Sequence, residues 1–386
     1  MDRLKIIFDV SCTRGKRAGI GWYATNLLSH IGKIDRNNTY LLYTFYARSR
    51  EFSLDTRVLP TGLNFELQEK WIPFRVANFL LDRIQLPIES IVGSFDVFHA
   101  LDHSAPSLAS GKLVITIHDL AFLIYPDRNF TSPEFTKNGM SRMRKLAKRA
   151  DMIIAVSQNT KHDIEDVLGV SGEKIRVVYE AAETRFMPIG EAAVLSIVRQ
   201  RYHLPERFIL FVGTMEPRKN IPLLLNSYQS LKETRKIKHK LVLAGRLGWS
   251  YENIFLLLNE LGLKEDVILP GHIAREDLPA LYNLADLFVY PSFYEGFGLP
   301  PLEAMACGTP VIASRSSCFP EILGEAAILI DPKDANELSE KMYLMINDHA
   351  LSSRYAEQGI KRAAQFSWEQ VARETIQVYE AVASRT

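Results

Sequence analysis

Cysteine is scarce: Cys12, Cys307 and Cys318 are the only three in 386 residues. They are odd in number, widely spaced and form no C-x-x-C pair. That argues against a disulfide framework or a zinc site of the usual spacing and points to a reducing, cytoplasmic setting. Each reads as a small core or pocket residue rather than a nucleophile. Charge of one sign is lacking too. Forty-six Lys and Arg stand against 45 Asp and Glu, a net charge of +1. The basic excess of a general nucleic-acid binder is missing, so no nucleic-acid partner is expected. No run of about 18 apolar residues occurs, and no transmembrane helix is expected. The first residues, Met1-Asp-Arg-Leu-Lys-Ile-Ile-Phe8, read as a strand and not as a signal peptide. Low-complexity segments and short repeats are absent. So is an Asp-x-Asp after a strand, and no His/Asp set clusters in sequence; no metal is expected.

What is present is ordinary globular material, 47% hydrophobic and 24% charged. At about 150 residues per domain, the length suits two to three domains. Short apolar runs alternate with longer amphipathic segments, which predicts an α/β protein with parallel strands buried on both faces. Leu4–Val10, Tyr40–Tyr46, Val97–Ala100, Lys112–His118, Met152–Val156 and Ile175–Tyr179 read as strands of a first domain over residues 1–183. Gly19–Lys33, Met140–Ala150 and Gln158–Leu168 read as its helices. Around residues 184–206 the pattern loosens at Met187-Pro-Ile-Gly190, a helical stretch follows, and Leu204-Pro205 breaks it again, predicting a linker region. A second domain over 207–366 restarts the alternation. Its strands are Phe208–Gly213, Lys240–Gly245, Val267–Pro270, Leu287–Tyr290, Pro310–Ala313 and Ala326–Ile330, and its helices include Ile221–Leu231 and Arg275–Leu284. A last helix, 367–386, is expected to open on a capping box with Ser367 as N-cap and Gln370 at N3, and to pack back on the first domain. Ligands of open α/β sheets bind beyond the strand C-termini.

The segment Pro291–Pro310 is the richest in chemistry. A strand ends near Tyr290, a loop carries Gly296 and Gly298, and Pro300-Pro301 suits the first positions of a helix that closes on Gly308. The glycines let backbone N–H groups approach a ligand, and the helix N-terminus favours an anion. Glu295 in the loop and Glu303 in the helix are expected to reach one ligand. The alternative is a tight turn with a solvated Glu295 and a dipole-stabilising Glu303. A second segment, Phe211–Asn220, places Arg218 and Lys219 at a helix start, where cations oppose the dipole; that placement points to an anionic ligand. Thr116-Ile-His-Asp-Leu120 ends a strand with His118 and Asp119. Gly19-Ile-Gly21, ahead of Trp22, Tyr23 and Ala24, opens the first helix.

Gly296-Phe-Gly-Leu-Pro-Pro-Leu-Glu-Ala-Met-Ala306, with Glu295 and Glu303 in an E-x7-E spacing, resembles retaining nucleotide-sugar glycosyltransferases of glycosyltransferase family 4. The resemblance implies a GT-B fold, two Rossmann-like parallel-sheet domains facing each other across a cleft that closes to assemble the site. It implies a nucleoside-diphosphate sugar as donor and a saccharide or lipid-linked glycan as acceptor, with no metal or other cofactor. It assigns Glu295 to donor-sugar hydroxyls and to catalysis, with Gly296 and Phe297 beside the sugar, and Glu303 to the two ribose hydroxyls. Arg218, Lys219, Gly21, Gly298 and Leu299 would hold the diphosphate, the cations doing what a metal does elsewhere. His118 would face the transferred sugar, with Asp119 fixing its loop. Gly19 and Ile20 would lie on the acceptor side, and Arg246, His272 and Ile273 would flank the base. The motif resembles branches that use GDP-mannose, which makes mannose the expected sugar.

Two rivals remain at this level. Gly19-x-Gly21-x-x-Ala24 also matches a dinucleotide fingerprint, which would make the chain an NAD(P)-dependent oxidoreductase; but no acidic residue closes the second strand. A non-catalytic nucleotide-sugar-binding protein would keep the same fold. Finally, Lys70–Arg83 mixes aromatics with cations, and Ser141–Arg149 is a basic helix. Both suit peripheral docking on the inner face of the cytoplasmic membrane, or else a core-facing aromatic strip and a solvated helix.

Overall fold

The computed structural model describes residues 3–14, 19–46, 59–60, 62–102, 104–125, 133–249 and 251–384. The chain divides into two compact units, one of Met1–Leu123, Pro133–Glu180 and Ser367–Thr386, the other of Ile124–Ser132 and Ala181–Phe366.

Unit 1 is built on seven parallel strands: β1 (Lys5–Asp9), β2 (Thr39–Tyr46), β3 (Phe65–Pro73), β4 (Val97–Ala100), β5 (Lys112–Ile117), β6 (Met152–Ala155) and β7 (Ile175–Val177), in the order β3-β2-β1-β4-β5-β6-β7. Runs such as Ile6-Ile7-Phe8 are fully buried, as strands covered on both faces require. β3 is the one strand that the apolar runs do not announce. It is an edge strand that exposes Glu66 and Glu69 and leaves Gln68 and Lys70 half-buried.

The helix Gly19–Ile34 packs on the helix Trp368–Ala383. Ser367 caps the latter by accepting from the Gln370 amide at 3.2 Å. The reciprocal half of the capping box is not made, because the Gln370 side chain donates to Glu374 instead. Tyr379 ties this helix to the sheet through a hydrogen bond with His99 Nδ1 at 2.7 Å.

Unit 2 carries six parallel strands: β8 (Phe208–Val212), β9 (Lys240–Ala244), β10 (Val267–Gly271), β11 (Leu287–Tyr290), β12 (Val311–Ser314) and β13 (Ile328–Ile330), in the order β10-β9-β8-β11-β12-β13. Both sheets thus reverse direction next to their first strand, between β1 and β4 and between β8 and β11. In open α/β sheets the ligand crevice lies outside the strand C-termini at that reversal.

The stretch 184–206 is not a free linker. It holds the helix Ala192–Arg201, which packs on the helix Leu278–Leu284. Arg201 Nη1 and Tyr202 Oη both donate to Asp277, at 2.6 and 2.7 Å. The helix expected from Arg275 begins at Leu278, because Pro279 fits the first turn of a helix but in a helix started at Arg275 would meet the Arg275 carbonyl.

Candidate active site

In unit 2 the functional side chains follow the two strands that flank the reversal. β8 leads into a single 3-10 turn, Pro217–Lys219, and then the helix Ile221–Arg235. β11 leads through Pro291–Gly298 into the helix Leu299–Ala306, which starts at Leu299 with Pro300 and Pro301 in its first turn. The left-handed residue of this loop is Gly298 (φ 89°), which is the N-cap. A Cβ there would stand 2.8 Å from the Phe319 ring, so only glycine fits without a shift. Gly308 (φ 77°) ends the helix in the expected left-handed conformation.

The Glu295 carboxylate does not project into solvent. Arg218 Nη1 donates to its Oε2 at 2.8 Å, Lys219 Nζ to its Oε1 at 2.5 Å and Ser292 Oγ to Oε1 at 2.8 Å. Lys219 Nζ also donates to Tyr290 Oη at 2.8 Å, and Arg218 reaches Glu216. Burial raises the Glu295 pKa, but Arg218, Lys219 and the hydrogen bonds from Lys219 and Ser292 outweigh it and bring it down to about 2. The two cations therefore have carboxylate partners of their own, and their opposition to a helix dipole is not what demands an anion.

Glu303, only 3% exposed, belongs to a second cluster. Tyr282 Oη donates to its Oε2 at 3.1 Å, and Arg275 Nη2 lies 2.8 Å from its Oε1. Burial outweighs these partners and leaves its pKa raised. Arg275 and Tyr282 have no sequence signal, since an arginine facing a carboxylate from another element leaves no local pattern.

Of the remaining residues in this unit, Gly296 and Phe297 are buried and Leu299 is half-buried. Arg246 and His272 are exposed beyond β9 and β10, while Ile273 is buried. Gly245 (φ 145°) brings the loop after β9 so close to the loop after β8 that a Cβ would fall 1.9 Å from the Gly213 carbonyl oxygen. Among the described residues, no group of three or more His, Cys, Asp or Glu could hold a metal ion.

In unit 1, His118 stands just past the end of β5. Its Nδ1 lies 2.9 Å from Glu180 Oε1 and its Nε2 lies 3.2 Å from the Leu101 carbonyl. Two acceptors, one at each ring nitrogen, suit an imidazolium that donates twice. Burial opposes that charge, but Glu180 outweighs it and the pKa is raised. Tyr23, fully buried, packs edge-on against the ring with centroids 4.6 Å apart, which makes it a packing residue. Asp119 accepts from the Ala121 amide at 3.1 Å, holding the loop. The helix opens at Gly19, with Gly19 exposed, Ile20 half-buried and Gly21 buried. Arg17 and Ala18, ahead of it, and Ala47 and Arg48, at the close of the second strand, lie outside the described residues.

Two family models match the chain, "Glycosyltransferase Family 4" over residues 18–186 and "Glycosyl transferases group 1" over residues 198–362. The O-antigen chain mannosyltransferase B of Escherichia coli is 35% identical over 278 residues, covering 70% of each chain. The serotype-specific mannosyltransferase WbdA of Escherichia coli is 32% identical over 67% of this chain; the match spans only 32% of that longer protein. A sucrose-phosphate synthase from Thermosynechococcus elongatus superposes with a TM-score of 0.76 over the full length of both chains, at 21% identity. An oxidoreductase reading of Gly19–Ala24 finds no support in these matches. Two parallel sheets that reverse beside their first strands are the GT-B architecture, and with these relatives the chain belongs to glycosyltransferase family 4.

Proposed function

We propose that this glycosyltransferase moves mannose from GDP-mannose, with retention of configuration and without a metal, to a hydroxyl of a saccharide or lipid-linked glycan. The observation that carries the reading is the pair of cations, half-buried Arg218 and buried Lys219, fixed at the β8–β11 reversal by Glu295. Their charge is ready for a diphosphate, and the O-antigen chain mannosyltransferase at 35% identity supports the sugar. In this reading the donor diphosphate takes over the cations from Glu295, which turns to the sugar hydroxyls. Backbone N–H groups around Gly298 and Leu299 assist. The bond between the sugar C1 and the phosphate oxygen breaks on the face where the acceptor oxygen bonds to C1. The acceptor's proton passes to the departing phosphate. Arg218 and Lys219 stabilise the charge that develops there. His118, held as an imidazolium by Glu180, is assigned to the transferred sugar.

The test is transfer from GDP-mannose, UDP-glucose and UDP-galactose in the presence of EDTA, with the product anomer read by NMR. Retained α-configuration with GDP-mannose alone is expected. Activity that EDTA abolishes and manganese restores overturns the metal-independent reading, and an inverted product overturns the retaining one.

A peripheral membrane contact is proposed for unit 1. Trp71 is 82% exposed and Phe79 58%, so this stretch is not a core-facing strip. Half-buried Lys70 and exposed Arg75 and Arg83 stand among them, and Arg142, Arg144, Lys145, Lys148 and Arg149 are exposed along the helix Pro133–Arg149. Apolar anchors beside cations suit an anionic lipid surface. Co-sedimentation with phosphatidylglycerol vesicles, lost on Trp71→Ala with Phe79→Ala, checks it; equal binding to neutral vesicles overturns it. No described helix is long and apolar enough to cross a membrane.

A further inference from the structure

The second cluster of unit 2 contains a half-buried arginine that the proposed chemistry leaves unused. Arg275 precedes the helix Leu278–Leu284 and carries its guanidinium against two carboxylates. Its Nε and Nη2 reach Glu183 Oε1 at 3.0 and 2.6 Å, and Nη2 lies 2.8 Å from Glu303 Oε1. The guanidinium also sits over the Phe186 ring, 4.9 Å from its centroid, and that ring meets Tyr282 edge-on. Arg275 is thus held from both sides by the chain that enters unit 2.

We propose that Arg275, anchored by Glu183, is a positioning residue of the donor site: it fixes the Glu303 carboxylate in one orientation, with one acceptor position left on each oxygen, to receive the ribose. The inference rests on the reading that Glu303 binds the two ribose hydroxyls. An ionised carboxylate offers about four acceptor positions. Arg275 occupies one on Oε1 and Tyr282 one on Oε2, which leaves one on each oxygen for two adjacent hydroxyls. A protonated carboxyl would lose an acceptor position to its own hydrogen and could no longer take both.

Ionisation is not assured at this place. The carboxylate is almost fully buried, and burial alone drives it toward the neutral acid. The charged and titratable groups that face it are Arg275, Tyr282 on the neighbouring helix, Glu183 on the entering chain and Cys307 at the end of its own helix. Arg275 is the one cation among them. Removing it leaves a buried carboxylate with Glu183 as a like charge nearby, and the acid form wins over more of the pH range. Glu183 acts one step back, by keeping the guanidinium from turning away.

The test compares GDP with 2′,3′-dideoxy-GDP by titration calorimetry between about pH 6 and pH 9, on the full chain. Wild type should prefer GDP by on the order of 10–100-fold, the worth of hydrogen bonds to a charged group. Glu303→Ala should abolish that preference. Arg275→Met should abolish it near neutral pH and regain part of it toward pH 9, as Glu303 ionises, while binding of the dideoxy nucleotide stays as in wild type. Arg275→Lys should restore part of the preference, and kcat at saturating donor should change less than KM. Glu183→Gln, a milder change, should lower GDP affinity several-fold with the dideoxy nucleotide unaffected; it serves if Arg275→Met does not fold. If Glu303→Ala keeps the preference for GDP, the ribose reading fails. If Glu303→Ala loses it while Arg275→Met and Glu183→Gln keep it at every pH, the role of Arg275 is overturned and the ribose reading stands.

Discussion

At the scale of single residues, two histidines of unit 1 respond to pH in opposite senses. His99 is fully buried between Tyr379 and Thr116, and burial, with His118 nearby, brings its pKa down to about 3. It stays neutral in the fold while the unfolded chain protonates near 6.5, so stability falls as pH drops below that value, by about 1.4 kcal/mol per unit. His118 is the reverse. Its folded pKa is raised by Glu180, so its contribution is full below the ordinary value and is lost as pH rises through the folded one. Denaturant titrations at several pH values should show that Glu180→Gln destabilises the protein more on the acid side than on the alkaline side. They should show His99→Gln flattening the acid limb. A different readout addresses turnover. His118→Ala should lower kcat and kcat/KM together, on the order of 10²-fold, with little change in KM. A normal kcat with a depressed Tm would make the residue structural. His118 and Glu303 could be picked out in the sequence from motifs, but Glu180 and Arg275 could not. Their partners lie far along the chain, and nothing local marks a glutamate or arginine as buried.

At the scale of elements, the loops that follow β8, β9 and β11 each depend on a glycine, Gly213, Gly245 and Gly298. Gly298→Ala would force a left-handed residue with a Cβ against Phe319, at a cost of about 1–3 kcal/mol. It would also move the helix start proposed to receive the donor phosphates, so nucleotide affinity should drop together with Tm. Gly245→Ala is more severe, since the added Cβ meets the backbone of Gly213 and neither loop has a flexible side chain to yield. Thermal melts should rank it below Gly298→Ala. The strand-to-helix turns were legible in the sequence because Gly, Pro and apolar runs mark them directly. β3 was not, because an edge strand with one polar face shows no continuous apolar run. The helix Ala192–Arg201 was legible as a helical stretch between the breaks at Gly190 and Pro205, but the lock of Arg201 and Tyr202 onto Asp277 was not, because that partner lies far along the chain.

At the scale of the whole molecule, unit 2 is essentially one continuous stretch, Ala181–Phe366, whereas unit 1 needs the helix that begins after Ser367. That helix buries Trp368, Val371, Val378, Tyr379 and Val382 and supplies the hydroxyl that bonds His99. Ending the chain at Phe366 should therefore strip hydrogen-exchange protection from β1, β4 and β5 and leave β8–β13 protected. Equal protection in both units would show that unit 1 closes without the helix. The same feature bears on how the protein is made. A ribosome adding 5–20 residues per second finishes β7 and then spends on the order of 10–40 s on unit 2 before the closing helix exists. Through that interval the apolar strands of unit 1 lack their last cover, and nascent unit 1 is the part that chaperones should hold. The domain synthesised first is the one completed last.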